Sequence, residues 1–319
     1  MRLTEFRILV LKISVITCTH NPRTDYLEAT VEALRHQSLP SHQWEYLLID
    51  NASARNQSPA VDLSWHPHGK IIREETLGLT PARLRGIGEA KGELLVFVDD
   101  DNVLDANYLE QAIKTGEDKP FLGAWSGQCL PSFDEAPPEW TRRYWGNLAI
   151  RKFDRDVWSN LPRLADTMPC GAGLCVRLEV AQRYARLQEA RRDRTQLDRK
   201  GDSLLSGGDN ELAGCACDLG LGVGLITSLK LTHLIPAQRL TVDYQARLAE
   251  GIQFSSILLD ADRNIDYPKR TLLGKVVDHL RLLRLRGPHR QISKAVQRGR
   301  TNAWIELGRR LTRENSSHR

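Results

Sequence analysis

The chain has 319 residues, a formal net charge of +5, 27% charged and 6% aromatic residues, enough to bury one large core with or without an appendage. No run of about 18 apolar residues is present, so no segment is expected to cross a membrane, and Ile8-Leu9-Val10-Leu11, broken by Lys12 with no small-residue cleavage site, does not read as a signal peptide. Charge is uneven: residues 281–319 hold eleven Lys or Arg against Glu306 and Glu314, a net of +9, which leaves the preceding body at −4.

Residues 12–18 read as a first strand, ended by the turn Thr19-His20-Asn21-Pro22. Leu27, Val31 and Leu34 then recur at helical spacing over 24–38, before Pro40. A second strand, 45–49, ends in an acid and a turn, Asp50-Asn51-Ala52-Ser53. A short strand at 70–73 precedes a helix opened by Thr80-Pro81, with Leu84 and Ile87 on one face and Gly92 as its C-terminal stop. The apolar run 93–98 follows, without alternation, as a strand buried on both faces. Such a βαβ order predicts parallel strands joined by right-handed crossovers, helices covering both faces.

That last strand stops at Asp99-Asp100-Asp101-Asn102. Ligands bind at the C-terminal edge of open α/β sheets, and three adjacent carboxylates repel unless a cation or hydrogen bonds offset the charge. Asp99 and Asp101 point the same way on an extended chain and can converge on a hard divalent ion or a ribose hydroxyl; the alternative is a solvated acidic turn capping the next helix. No Gly-x-Gly-x-x-Gly follows strand one, which excludes the usual dinucleotide redox enzyme.

A helix at about 105–115 and a strand at 121–129 lead into an irregular stretch, 131–170, holding five prolines and Trp140, Trp145 and Trp158. These tryptophans suit sugar stacking or packing against the sheet. A strand at 168–176 and a helix from Glu179 to about Arg192 come next; 193–206 is polar and reads as a mobile surface loop. Ser206-Gly207-Gly208-Asp209-Asn210-Glu211 turns into a short helix whose N-terminus favours an ionised Asp209, as a cap or as a reactive carboxylate. A last strand, about 222–231, precedes His233. The six cysteines (Cys18, Cys129, Cys170, Cys175, Cys215, Cys217) show no zinc-ligand spacing and read as reduced thiols of a cytoplasmic protein.

Taken together, residues 12–245 resemble a family 2 glycosyltransferase of the GT-A fold. The motifs that carry the likeness are Thr19-His20-Asn21-Pro22, Asp50-Asn51-Ala52-Ser53, Thr80 to Gly86, the three aspartates, Gly207-Gly208-Asp209-Asn210-Glu211-Leu212, and His233 with Ile235-Pro236. The resemblance implies an α/β fold with a Rossmann-like mixed sheet flanked by helices. It implies a catalytic domain over 1–245, with a nucleotide-sugar half at about 12–104 and an acceptor half at about 105–245, followed by a basic helical extension, 246–319. It also implies that Thr19, His20, Asp50, Arg83, Asp99 and Asp100 hold a nucleoside-diphosphate sugar, a UDP-sugar being favoured. Asp101 and His233 would bind Mg²⁺ or Mn²⁺, and Asp209 would be the base of an inverting transfer. Trp140, Trp145 and Glu211 are the expected acceptor residues. The acceptor would be a glycan or lipid-linked hydroxyl, in cell-surface polysaccharide or glycoconjugate synthesis.

The sequence departs from that pattern where the family usually has Glu-Asp and this chain has Gly208-Asp209, which leaves a catalytically silent nucleotide-sugar-binding or scaffold protein as the rival. The Gln-x-x-Arg-Trp signature of processive synthases is also absent after Gln238, so one sugar per encounter is expected. Over 271–285, Leu272, Leu273, Val276, Val277, Leu280 and Leu283 form one face flanked by Lys275, Arg281 and Arg284. Such a helix can lie on an anionic membrane surface, placing the protein peripherally on the inner face, or pack on the catalytic domain. Nucleic-acid binding is disfavoured, because no recognised module accompanies the charge.

Overall fold

The computed structural model describes residues 11–55, 59–163, 165–191, 197–265 and 271–317. The first strands follow the expected order: β1 (Ile13–Thr19), α1 (Thr24–Arg35), β2 (Trp44–Asn51), β3 (Gly69–Glu74), α2 (Leu79–Glu89) and β4 (Leu94–Phe97). β1 lies between β2 and β4, with β3 outside β2, and all four run parallel. Every residue of β2 and β4 is buried, whereas no residue of the edge strand β3 is. Gly92 has a different role from a helix stop. A Cβ there would meet the Ile13 carbonyl carbon and the Ser14 nitrogen at 2.5 Å, so glycine lets the entry to β4 lie against β1.

Beyond β4 the sheet becomes mixed. β5 (Asn102–Leu104), α3 (Tyr108–Asp118), β6 (Leu122–Phe133), β7 (Val157–Ser159), β8 (Leu174–Arg177), α4 (Leu178–Ala190), α5 (Gly208–Asp218) and β9 (Gly222–Ile235) complete it in the order β3-β2-β1-β4-β8-β6-β9-β5. β8 is antiparallel to β4 and β6. β9 runs parallel to β6 along its length, while its other edge is shared antiparallel by β7, opposite residues 223–225, and β5, opposite 231–233.

Successive strand residues serve opposite faces. Val15, Leu48 and Val96 pack with Leu27, Val31, Leu34 and Tyr108 of α1 and α3. Ile16, Leu47, Leu95 and Phe97 pack with Ala82, Val180, Tyr184, Leu212 and Cys215 of α2, α4 and α5. Helices therefore cover both faces of the sheet, and the six cysteines, all free, are core or half-buried thiols.

The C-terminal region is three helices, α6 (Val242–Asp262), α7 (Leu272–Arg284) and α8 (Gly287–Ser317). The expected boundary at residue 245 falls inside α6. Leu248 of α6 packs on Leu148, Ile235 and Leu240, and its Ile257 and Leu258 pack on Ala303 of α8. Ion pairs Arg298–Glu250 (2.7 Å) and Arg310–Asp262 (3.0 Å) seat α8 on α6. Both readings of the helix over 271–285, a membrane surface or packing on the catalytic domain, concern α7. α8 is packed, whereas Leu273, Val276, Val277, Leu280 and Leu283 of α7 face solvent. No helix among the described residues is long and apolar enough to cross a membrane.

Candidate active site

Parallel β1, β2 and β4 end at one edge, which puts Thr19, Asp50-Asn51 and the three aspartates side by side. The chain turns at the aspartates, Asn102 N–H donating to the Asp99 carbonyl (3.0 Å), and enters β5. Because β5 pairs with the far half of β9, Asn102 lies opposite His233 and Leu234 N–H donates to the Asp101 carbonyl (2.8 Å). Strand register, rather than a loop, thereby sets His233 against Asp101, with Nε2 3.4 Å from Oδ2. Arg239, just after β9, completes the group: its Nη2 is 2.9 Å from the same Oδ2 and its Nη1 is 3.0 Å from His233 Nε2. His233 Nδ1–H donates to the Leu148 carbonyl (3.0 Å), which leaves Nε2 as the nitrogen facing Asp101.

The three acids sit in different electrostatic surroundings. Burial, then Asp101, raises the Asp99 carboxyl; burial, then Asp101, pushes Asp100 up to about 7, although the Thr19 hydroxyl donates to it. Burial also opposes ionisation of Asp101, but His233 and Arg239 outweigh it and hold this carboxyl below its ordinary value. Asp101 is therefore the most readily ionised of the three, and it is the one next to a histidine nitrogen.

Among the described residues, no three or more His, Cys, Asp or Glu side chains converge as a metal site. The chain offers two ligands, the Asp101 carboxylate and His233 Nε2. A carboxylate oxygen and an imidazole nitrogen are donors that Mg²⁺ or Mn²⁺ accepts, so Asp101 and His233 are the residues that would hold such an ion. Arg239 bridges those two groups, and a diphosphate offers it a better partner.

Across the cleft, α5 places Asp209 in its first turn. Oδ2 accepts from Gly171 N–H (2.8 Å) and Oδ1 from Asn210 N–H (2.9 Å), so backbone donors fix the carboxylate and, among the described residues, each oxygen keeps a free lone pair. Arg83 from α2 lies alongside, buried, donating to Asp198 at 2.7 Å.

Thr19, His20, Arg83, Asp99, Asp100, Asp101, His233 and Asp209 all line one cleft of about 390 Å³, large enough for much of a nucleotide sugar. His20 is oriented through Nδ1 on the Asn51 carbonyl (2.7 Å). Asp50 lies just behind the wall, held by Arg73 (2.7 Å) and Ser53 N–H (3.2 Å), while its neighbour Asn51 lines the cleft.

The acceptor expectations fare differently. Glu211 is directed away from the cleft, its oxygens held by Gln188 (2.7 Å) and Arg191 (2.9 Å), because successive residues of a helix point about 100° apart and Asp209 takes the cleft side. Trp140 sets its ring against Tyr144, which bonds His289 of α8 at 2.8 Å, and Trp145 packs on Phe133 at 5.2 Å; neither is among the cleft-lining residues. Their segment, 131–170, is less irregular than expected: β6 extends to Phe133, 3-10 turns span Glu139–Leu148, and β7 carries Trp158 against Phe121.

Asp198 and Arg239 are cleft residues that the sequence reading passed over. Asp198 falls in the stretch expected to be a mobile surface loop, yet Leu197 and Asp198 are both buried; residues 192–196 lie outside the described ones. The available signal was Leu197, an apolar residue in a polar run.

The sequence matches the family model for glycosyl transferase family 2 over residues 14–175, about half of its length, and the chain belongs to that family. It is 28% identical over 113 residues to EpsH of Bacillus subtilis (strain 168), whose name describes a glycosyltransferase, covering 34% of this chain and 32% of that protein. It is 29% identical over 101 residues to the cholesterol galactosyltransferase of Borreliella burgdorferi, covering 31% of this chain and 27% of that protein. The matches thus span about a third or less of these relatives. The crystal structure of residues 1–349 of S. aureus TarS is similar with a TM-score of 0.47 and 16% identity, covering 95% of this chain and 92% of that one.

Proposed function

We propose that the chain is an inverting, metal-dependent glycosyltransferase that moves one sugar from a nucleoside-diphosphate donor to a hydroxyl of a glycan or lipid-linked acceptor. The observation that carries this reading is one cleft bounded by an Asp101–His233–Arg239 cluster on one side and a backbone-fixed carboxylate, Asp209, on another. The nucleoside lies over the ends of β1 and β2, near Thr19, His20 and Asn51. A UDP-sugar is the first donor to try. The diphosphate takes the guanidinium of Arg239. Asp209 accepts the acceptor hydroxyl's proton as its oxygen bonds to the anomeric carbon, and the bond to the leaving diphosphate breaks with its electron pair on the phosphate oxygen. Asp101 and His233 are the residues that would hold a divalent ion, which would supply Lewis-acid neutralisation of that developing charge. Displacement in one step inverts the anomeric centre and requires no second nucleophilic carboxylate.

The solvent-facing side of α7, Leu273, Val276, Val277, Leu280 and Leu283 with Arg281 and Arg284 in its last turn, supports docking on an anionic lipid surface, where a lipid-linked acceptor resides. Replacing Val276 and Leu280 by Glu should abolish co-sedimentation with anionic vesicles without lowering the melting temperature.

The test of the reaction is a thermal-shift series with nucleotide sugars and Mn²⁺, followed by donor hydrolysis without acceptor. A bound donor raises the melting temperature by mass action, and Asp101→Ala should remove both the shift and the hydrolysis. Absence of a shift with any nucleotide sugar would refute the reading.

A further inference from the structure

We propose that Asp198 is a positioning carboxylate for sugar transfer, seated in the space left by the missing side chain of Gly208, where it holds Arg83 and leaves Asp209 to the acceptor hydroxyl. This rests on the reading of the cleft given above. A Cβ on Gly208 would lie 2.2 Å from Asp198 Oδ2, 2.6 Å from its Cγ and 3.1 Å from Arg83 Nη1. Gly208 opens α5 without a positive φ, so its backbone conformation does not call for glycine; the carboxylate lying on it does.

The segment that delivers Asp198 is fastened on both sides. Leu197 is buried with Ile257 and Leu258 of α6, and Leu79 N–H donates to the Arg199 carbonyl (2.9 Å), tying it to the start of α2. Asp198 and Arg83 are 6% and 5% exposed in their side chains, so neither charge has bulk water to fall back on.

Among the described residues, the acids around Arg83 are Asp198, Asp209 and Asp99, and Gly171, whose N–H holds Asp209, also lies against the guanidinium. A buried guanidinium needs a carboxylate partner. With Asp198 removed, Asp209 is the acid next to it, and an Arg-bound carboxylate is both a weaker base and turned from the acceptor. The sequence pattern that suggested a silent protein, a glycine before Asp209, is thus matched by a carboxylate brought from 10 residues upstream.

Two measurements test this. In melting experiments, Gly208→Ala should lower the melting temperature of the wild-type chain but not of an Asp198→Gly chain, because the colliding carboxylate is gone. In kinetics, Asp198→Asn should lower kcat by about 10–100-fold, within the range of a positioned base, with donor KM changed by less than about twofold. The swap Asp198→Gly/Gly208→Asp should recover much of the loss. A merely structural role predicts a lower melting temperature with kcat unchanged. An unchanged kcat in Asp198→Asn, or a Gly208→Ala chain as stable as wild type, overturns the proposal. If wild type neither binds nor hydrolyses any nucleotide sugar, the transfer reading fails instead, and the melts still decide whether Asp198 fills the Gly208 seat.

Discussion

Asp209→Asn is the most informative single change. The carboxylate accepts one N–H on each oxygen, from Gly171 and from Asn210. Asparagine keeps one acceptor and turns an NH₂ toward the other donor, so the variant loses about one hydrogen bond, ~1 kcal/mol, a fall in melting temperature of about 2–4 °C or less for a chain of this size. Removing the base should cost far more in rate: about 10²–10⁴-fold in kcat, or ~3–5 kcal/mol of barrier. Donor affinity should barely change, because the expected nucleotide contacts lie on β1, β2 and the Asp101 cluster. The assay is product formation under saturating donor, with the donor-induced thermal shift measured in parallel. Glu211→Gln is the control. Its carboxylate is bound to Arg191 and Gln188 outside the cleft, so that variant should lose stability and keep its kcat. An Asp209→Asn chain that transfers at near wild-type rate would show that another group takes the proton.

Chelation with EDTA should abolish transfer and Mn²⁺ or Mg²⁺ should restore it; full activity in chelator would remove the ion from the scheme and leave Arg239 as the cation on the leaving group. At Gly299 of α8, where a Cβ would lie 2.3 Å from the Glu250 carbonyl oxygen of α6, Gly299→Val should destabilise by roughly 1–3 kcal/mol as the helices are forced apart, read by urea melts; no change would deny the tight crossing. Burial, and next His68, lowers the buried His66 from its ordinary 6.5 to about 4. The unfolded chain therefore binds this proton first, and stability should fall as pH drops from about 6.5 to about 4. His66→Gln should flatten that part of the profile, and an unaltered slope would assign it to other groups.

Most of the sheet's parallel half was legible because each strand is a short apolar run closed by turn residues and each helix shows its period. β5 escaped notice: three residues, Asn102-Val103-Leu104, have no pattern of their own and are a strand through pairing with β9 over 100 residues later. The same long-range register places His233 beside Asp101, so their juxtaposition was available from the family likeness but not from local spacing. Asp198 was obscured because a charged residue in a polar run looks solvated until its buried partner is known. Trp140 and Trp145 show the opposite failure. Aromatics beside a suspected site invite a ligand role, yet these two are half-buried against Tyr144 and Phe133.

The position of β9 also bears on how the chain is made. Strands β5, β6 and β7 all hydrogen-bond to it, but β9 is finished only at Ile235, 102 residues after the end of β6 at Phe133. At ordinary elongation rates those strands wait roughly 5–20 s on the ribosome with open edges. Nascent chains halted before residue 222 should accordingly present unpaired strands to holding chaperones, and release from them should track the emergence of β9.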